Sequence, residues 1–322
     1  MSLNPITIII DAIDSFQKRY RFTAFIYGVI KKYGEDQAGY QAALLTYYAF
    51  LSLFPLLLVL TTVTGLLASS HPALQQSILK GITDYIPSLG SQLSTHVNGM
   101  HKTGPALFIG LLFAFYGARG VADAFRNGVN HLWQIPVAKR DGFPKNVGKS
   151  LLIIIGGGTG LIIASICSGL AAGAGHGVVF RLLSLLINIV ILFGLFAWLL
   201  NLSLPRHVSL RDIRSGALTA AIGLVLLQAV GAALLRHQLK NLDAVNSYFA
   251  TALGLLFWLY LQAQVLYYSV EVSVVQTLGL WPRSLTNNQL TAADKRALTR
   301  RVHEERAMDG ERIKTDFPDN KT

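Results

Sequence analysis

The chain is poor in the residues that build soluble machinery. Only 14% of its 322 residues are charged, and 17 of them are acidic. A composition 52% hydrophobic with so little charge fits an integral membrane protein better than a domain folded in water. The single cysteine, Cys167, lies inside an apolar run, which excludes an internal disulfide. Gly156, Gly157, Gly158 and Gly160 are followed by no Walker lysine and have apolar flanks, which excludes a phosphate-cradling loop. His71, His96 and His101 share one polar loop with a single acid, Asp84, at no compact ligand spacing, so neither a metal nor a cofactor is expected. The opening MSLNPITIIIDAIDSF is interrupted by two aspartates too early for a signal-peptide core, and no cleavage is expected.

What the chain has instead is long apolar runs. From Gln41 to Ala68 there is no charge over 28 residues. At about 1.5 Å per residue this stretch reaches about 42 Å, more than the ~30 Å of a bilayer's hydrocarbon core. Pro55, near its middle, removes a backbone donor and predicts a kink that could serve as a hinge. Further spans are expected from near Pro105, over about 147–171, 178–204 and 215–235, and from about Asn246 to Leu280. The expected fold is all-α: a bundle of six transmembrane helices over 36–280. An amphipathic segment, 1–35, precedes it and a charged, partly disordered tail, 281–322, follows. In the first segment, Ile6, Ile9, Ile13, Phe16 and Tyr20, then Phe22, Phe25, Val29 and Tyr33, recur at helical steps among five basic residues. That pattern suits either a helix lying on an anionic leaflet or one packed on the end of the bundle.

Two polar stripes interrupt the apolar helices. Arg119, Asp123, Arg126, Asn127 and Asn130 share one face of the second span, with Gln134 beyond them. Tyr260, Gln264, Tyr267, Tyr268 and Glu271 share one face of the sixth. Ionisable residues at membrane depth are expensive and usually face a bundle interior or a water-filled cavity. The stripes are therefore either a structural ion-pair network or a substrate site open to the cytoplasm. The stripes follow GLLFxxY segments at Gly110–Tyr116 and Gly254–Tyr260, a faint sign of an internal repeat.

The net charge of +11 is distributed by topology. With six spans, 23 of the 28 lysines and arginines fall on the side of the two termini. That asymmetry predicts both termini in the cytoplasm and makes nucleic-acid binding unnecessary to explain the excess.

AALLTYYAFLSLFPLLLVL in the first span, ADAFRNGVNHLW in the second and VNSYFATALGLLFWLYLQAQVLYYSVEVSVV in the sixth resemble the YihY/BrkB family of bacterial inner-membrane proteins. The resemblance covers about residues 35–280 and implies six spans in the cytoplasmic membrane. It supplies no catalytic residues. Where the family commonly has Gly-Ala-Glu, this chain has Ser269-Val270-Glu271, keeping the acid alone. Members have carried the labels ribonuclease BN and serum-resistance factor. RNA cleavage requires an acid, a base and a phosphate clamp, or clustered metal ligands. His131, His207 and His303 lie on three separate segments without such a motif, so no enzyme activity is expected. Two functions remain: a transporter or flippase for an amphiphile with an anionic head group, and a non-transporting envelope scaffold. In the first, membrane lipids are the partners and Arg119, Asp123, Arg126, Asn127, Asn130, Gln264, Tyr268 and Glu271 are the binding residues. Oligomeric state is not legible.

Overall fold

A backbone crossing hydrocarbon must satisfy its own N–H and C=O groups, and a single chain segment does so as an α-helix. The computed structural model of the chain describes residues 14–53, 105–173, 178–205, 208–239, 244–285, 290–308 and 310–317, and every regular element among them is helical. Arg21–Glu35 is α1, 38–53 is α2, Pro105–Leu132 is α3 and Lys145–Gly173 is α4. Val178–Ser203 is α5, Leu210–Leu239 α6, Ala244–Leu278 α7 and Ala292–Glu304 α8. Four of them, α4 to α7, are long and apolar enough to cross a membrane. The predicted first span is described only as far as Leu53. Pro55, the loop 69–104 with its histidines, His207 and residues 1–13 lie outside the described residues.

α6 begins five residues before the predicted Ser215. Asp212, in its first turn, accepts hydrogen bonds from the Ser209 amide at 2.9 Å and hydroxyl at 2.8 Å. A carboxylate in a first turn satisfies orphan donors and favours the positive end of the helix dipole, so this polar start is helical as well.

Neighbouring helices alternate in direction. Gly117 and Gly120 of α3 meet Ser52 and Tyr48 of α2, Gly156 and Gly160 of α4 meet Trp198 and Leu195 of α5, and Gly216 and Gly223 of α6 meet Ser269 and Val265 of α7. Each pairing runs antiparallel. Between helices in lipid the hydrophobic effect offers little, and close backbone approach through small residues supplies the packing instead. Gly128 shows why: a Cβ there would overlap the Tyr267 ring, whose hydroxyl donates to the Ala124 carbonyl at 3.3 Å.

The starts of α2, α4 and α6 and the ends of α3, α5 and α7 gather at one end of the bundle, where most of the described charge lies. α1 packs there against α7, Gly28 on Val275, Lys32 facing Glu271 and Tyr33 on Tyr268. Its opposite face carries Phe22, Ile26 and Ile30 outward. The segment after α7 folds back over α1. The Gln17 amide donates to the Arg283 carbonyl at 2.6 Å, and the Leu285 amide donates to Asp14 at 2.9 Å. α8 opens with a capping box, Thr291 with Asp294, a pairing written in the sequence as TAAD.

Candidate functional site

The α3 stripe divides into an open and a closed half. Arg119 has a side chain 46% exposed and pairs with Asp123 across one helical turn at 3.5 Å. Asp123 also accepts from the Ser150 hydroxyl of α4 at 2.5 Å. Asn127, one turn further, is exposed. Arg126, nearer the end of α3 on the same side, is buried. It donates to the Asn146 carbonyl at 2.9 Å, to the Asn146 side chain, and to Ser150 at 3.2 Å, and it pairs with Asp141 at 3.4 Å. Asn130, also buried, donates to the Arg126 carbonyl at 2.8 Å and to the Ser203 carbonyl of α5 at 3.2 Å. Periodicity put these residues on one stripe. Arg119 and Arg126, seven residues apart, do lie within about 20° of each other around the helix; they differ along its axis, where Arg126 reaches Asn146 and Ser150 in the first turns of α4.

The α7 stripe meets α3 through Tyr267 and α1 through Tyr268 and Glu271. Tyr268 stacks on Tyr33 at 3.7 Å, nearly parallel, and Gln264 is partly exposed. Glu271 is fully buried and its nearest cation is Lys32 at 3.7 Å. Lys32 is itself fully buried, bonded to Asp36 and donating to the Leu132 carbonyl at 3.2 Å. Among the described residues no hydrogen bond or ion pair joins the two stripes directly; Lys32 spans from Glu271 to the end of α3.

Sequence reasoning missed the partners that α1 and the tail bring to this end. Asp36 accepts from the Gln134 side chain at 3.2 Å, and its carbonyl meets His131 Nε2 at 2.9 Å. His131 Nδ1 lies 2.7 Å from Glu304, which also accepts from Arg140 at 2.6 Å. Gln37 and Gln134 both take left-handed backbone angles, φ +51° and +52°, to end their helices where glycine is the usual choice. The i, i+4 pair Lys32–Asp36 was available as a signal; the distant partners were not.

A second buried cluster fixes the tail. Arg283 donates to Asp294 at 2.6 Å and to both oxygens of Glu35, at 2.8 and 2.6 Å. Asp294 also accepts from Lys31 at 3.0 Å and from the amides of Ser284 and Thr291, each at 2.9 Å. Burial alone would raise this carboxyl. The bonds from Arg283, Thr291 and the two amides outweigh burial and hold it well below the usual carboxylate range.

A family model described as "Virulence factor BrkB" matches residues 29–285, which include both stripes and Arg283. The inner membrane protein YhjD of Escherichia coli is 26% identical over 253 residues, covering 71% of this chain and 74% of that protein. A UPF0761 membrane protein of Psychrobacter is 25% identical over 277 residues, 80% of this chain but 49% of its own length. An uncharacterized protein of Dickeya dadantii is 28% identical over 211 residues, 58% of this chain and 64% of its own. No solved structure matches. With a family match across most of its length and four helices of membrane-crossing character, the chain is a multi-pass membrane protein of the virulence factor BrkB family.

Proposed function

We propose that the protein binds the head group of an anionic amphiphile, such as a lipid or an envelope precursor, on the open half of the α3 stripe and carries it across the membrane. Arg119 is the observation that supports this most. It lies fourteen residues beyond Pro105, about 21 Å along the helix, and its side chain is still 46% exposed. An exposed charge at that depth in a bilayer is expensive unless something answers it. Asp123 answers part of it, sharing itself with Ser150. A guanidinium fork matches the oxygens of a phosphate or carboxylate, and Asn127 on the next turn would orient them. Phe113, Phe115 and Tyr116, exposed just before Arg119, offer the adjoining surface for acyl chains.

In this reading six helices within 36–280 span the bacterial inner membrane. The charged end faces the cytoplasm with both termini, and Pro55 is the hinge of the first span. Arg126 and Asn130 hold the α3 face in place rather than touching the ligand. No bond of the amphiphile is made or broken, and nucleic acid takes no part. The scaffold reading draws on the end cap of α1, α8 and the tail. There Arg283, Asp294 and Glu304 are buried in internal pairs, which leaves fewer charges for docking.

Lipid retention during purification tests the proposal. Native mass spectrometry of the protein in a mild detergent should find anionic lipid retained over zwitterionic lipid. Arg119→Met should abolish that preference, and so should Arg119→Met with Asp123→Leu, which leaves no unpaired carboxylate and should keep the stability of the parent. An undiminished anionic preference in Arg119→Met would refute the site.

A further inference from the structure

Glu271 has a demand that the fold around it does not meet. It is completely buried, and neither of its carboxyl oxygens has a hydrogen-bond partner among the described residues. The cation facing it, Lys32, is 3.7 Å away and already held by Asp36 and the Leu132 carbonyl. One ammonium thus stands between two carboxylates. Among the described residues no second cation pairs with Glu271. From α1 come Lys32, Tyr33 and Asp36, and from α7 itself Tyr260, Tyr267 and Tyr268. At the end of α3, Gln134 and His131 stand behind Asp36, and beyond His131 are Glu304 of α8 and Arg140.

With both carboxylates ionised, one buried negative charge would have no cation in contact with it beyond the shared Lys32. Burying such a charge costs several kcal/mol even after the surroundings relax. A metal cation would be a poor remedy: Lys32 repels it, and Glu271 alone offers free carboxylate oxygens where such ions need several oxygen ligands. A proton is the right size and charge. We propose that Glu271 is a proton-binding site, and that Lys32 changes its carboxylate partner as the proton comes and goes. When Glu271 takes a proton from a hydronium ion, one O–H bond forms as one of the hydronium's breaks to leave water, and Lys32 stays with Asp36. When Glu271 releases it, the new carboxylate draws Lys32 toward α7. Asp36 begins the turn that joins α1 to α2, so the exchange acts where those helices meet. The site is separate from Arg119 and does not depend on what the α3 stripe binds.

The test is infrared spectroscopy of the full-length protein in lipid bilayers across a pH series. A protonated-carboxyl stretch should disappear as pH rises, and Glu271→Gln should remove that band. Glu271→Gln should also fold as the parent does, because an amide imitates the neutral, proton-bound carboxyl. Asp36→Asn should move the titration to lower pH, since Lys32 is then left to favour ionised Glu271. A carboxyl band that survives Glu271→Gln at every pH would overturn the site. So would failure of Glu271→Gln to fold, which would mark a permanent ion pair with Lys32. A titration that stays in place in Asp36→Asn would overturn the exchange of partners.

Discussion

Asp294→Ala should release the end cap from the bundle. In the folded chain Asp294 is fully buried and accepts from Arg283, Lys31, Thr291 and two backbone amides. Removing it leaves Lys31 without its closest carboxylate, as Glu35 stands 3.9 Å off. Arg283 keeps Glu35 but loses its bond through Nε. Breaking one partner of a buried charge cluster costs about 3–5 kcal/mol. At about 1.4 kcal/mol per tenfold, opening of the cap becomes roughly two to four decades more frequent. Hydrogen exchange reads this at two amides that cross between segments, Leu285 to Asp14 and Ala138 to the Arg306 carbonyl. Both should lose protection while the interiors of α5 and α6 keep theirs. The carboxyl's depressed value gives a second expression of the same cluster. A group lowered in the folded state contributes stability that is fully present above its unfolded value, about 4 for an aspartate. That contribution is lost as pH falls through the folded value, so the cap of the parent protein should loosen only below about pH 4. Unchanged protection of Leu285 and Ala138 in Asp294→Ala would refute the clamp.

Gly128→Val should destabilise the α3–α7 contact by about 1–3 kcal/mol through overpacking against Tyr267. Tyr267→Leu in the same chain should return part of the loss in detergent melting. Arg126→Leu should cost about 1.5–3 kcal/mol for each charged hydrogen bond not replaced, and limited proteolysis should then cut between α3 and α4. Asp141 still has Lys149 at 2.6 Å, which limits that damage. For topology, in a chain lacking Cys167, Ser91→Cys should react with an impermeant maleimide in intact cells. Met308→Cys, 73% exposed, should react only after permeabilisation. Labelling of Met308→Cys from outside would contradict cytoplasmic termini.

The apolar helices were legible because hydrocarbon leaves so few alternatives. Predicted limits for α4, α5 and α7 fall within two residues of those in the structure. α6 was read short because Arg211, Asp212 and Arg214 look like loop to a hydropathy argument, although Asp212 is a good first-turn residue. Arg119 and Asp123 were legible as a pair, since a helix alone brings i and i+4 together. The burial of Arg126 was not, because it depends on where α4 packs. Glu271 was legible as an anomalous charge, but its facing cation, Lys32, lies 239 positions earlier in the chain. The Arg283–Asp294–Glu35 cluster was hidden for the same reason: in a charged tail, local sequence gives the cap at Thr291 and not the helix it clamps.

Transbilayer movement of lipid separates a carrier from a scaffold. The parent protein and the double variant Arg119→Met with Asp123→Leu are reconstituted at equal density into liposomes. These carry an anionic lipid labelled on its head group, and an impermeant reductant destroys label in the outer leaflet. The account predicts that the parent chain exposes inner-leaflet label to the reductant and that the folded double variant, having lost its guanidinium, does not. A parent chain no faster than empty liposomes, or a double variant as fast as the parent, would contradict it.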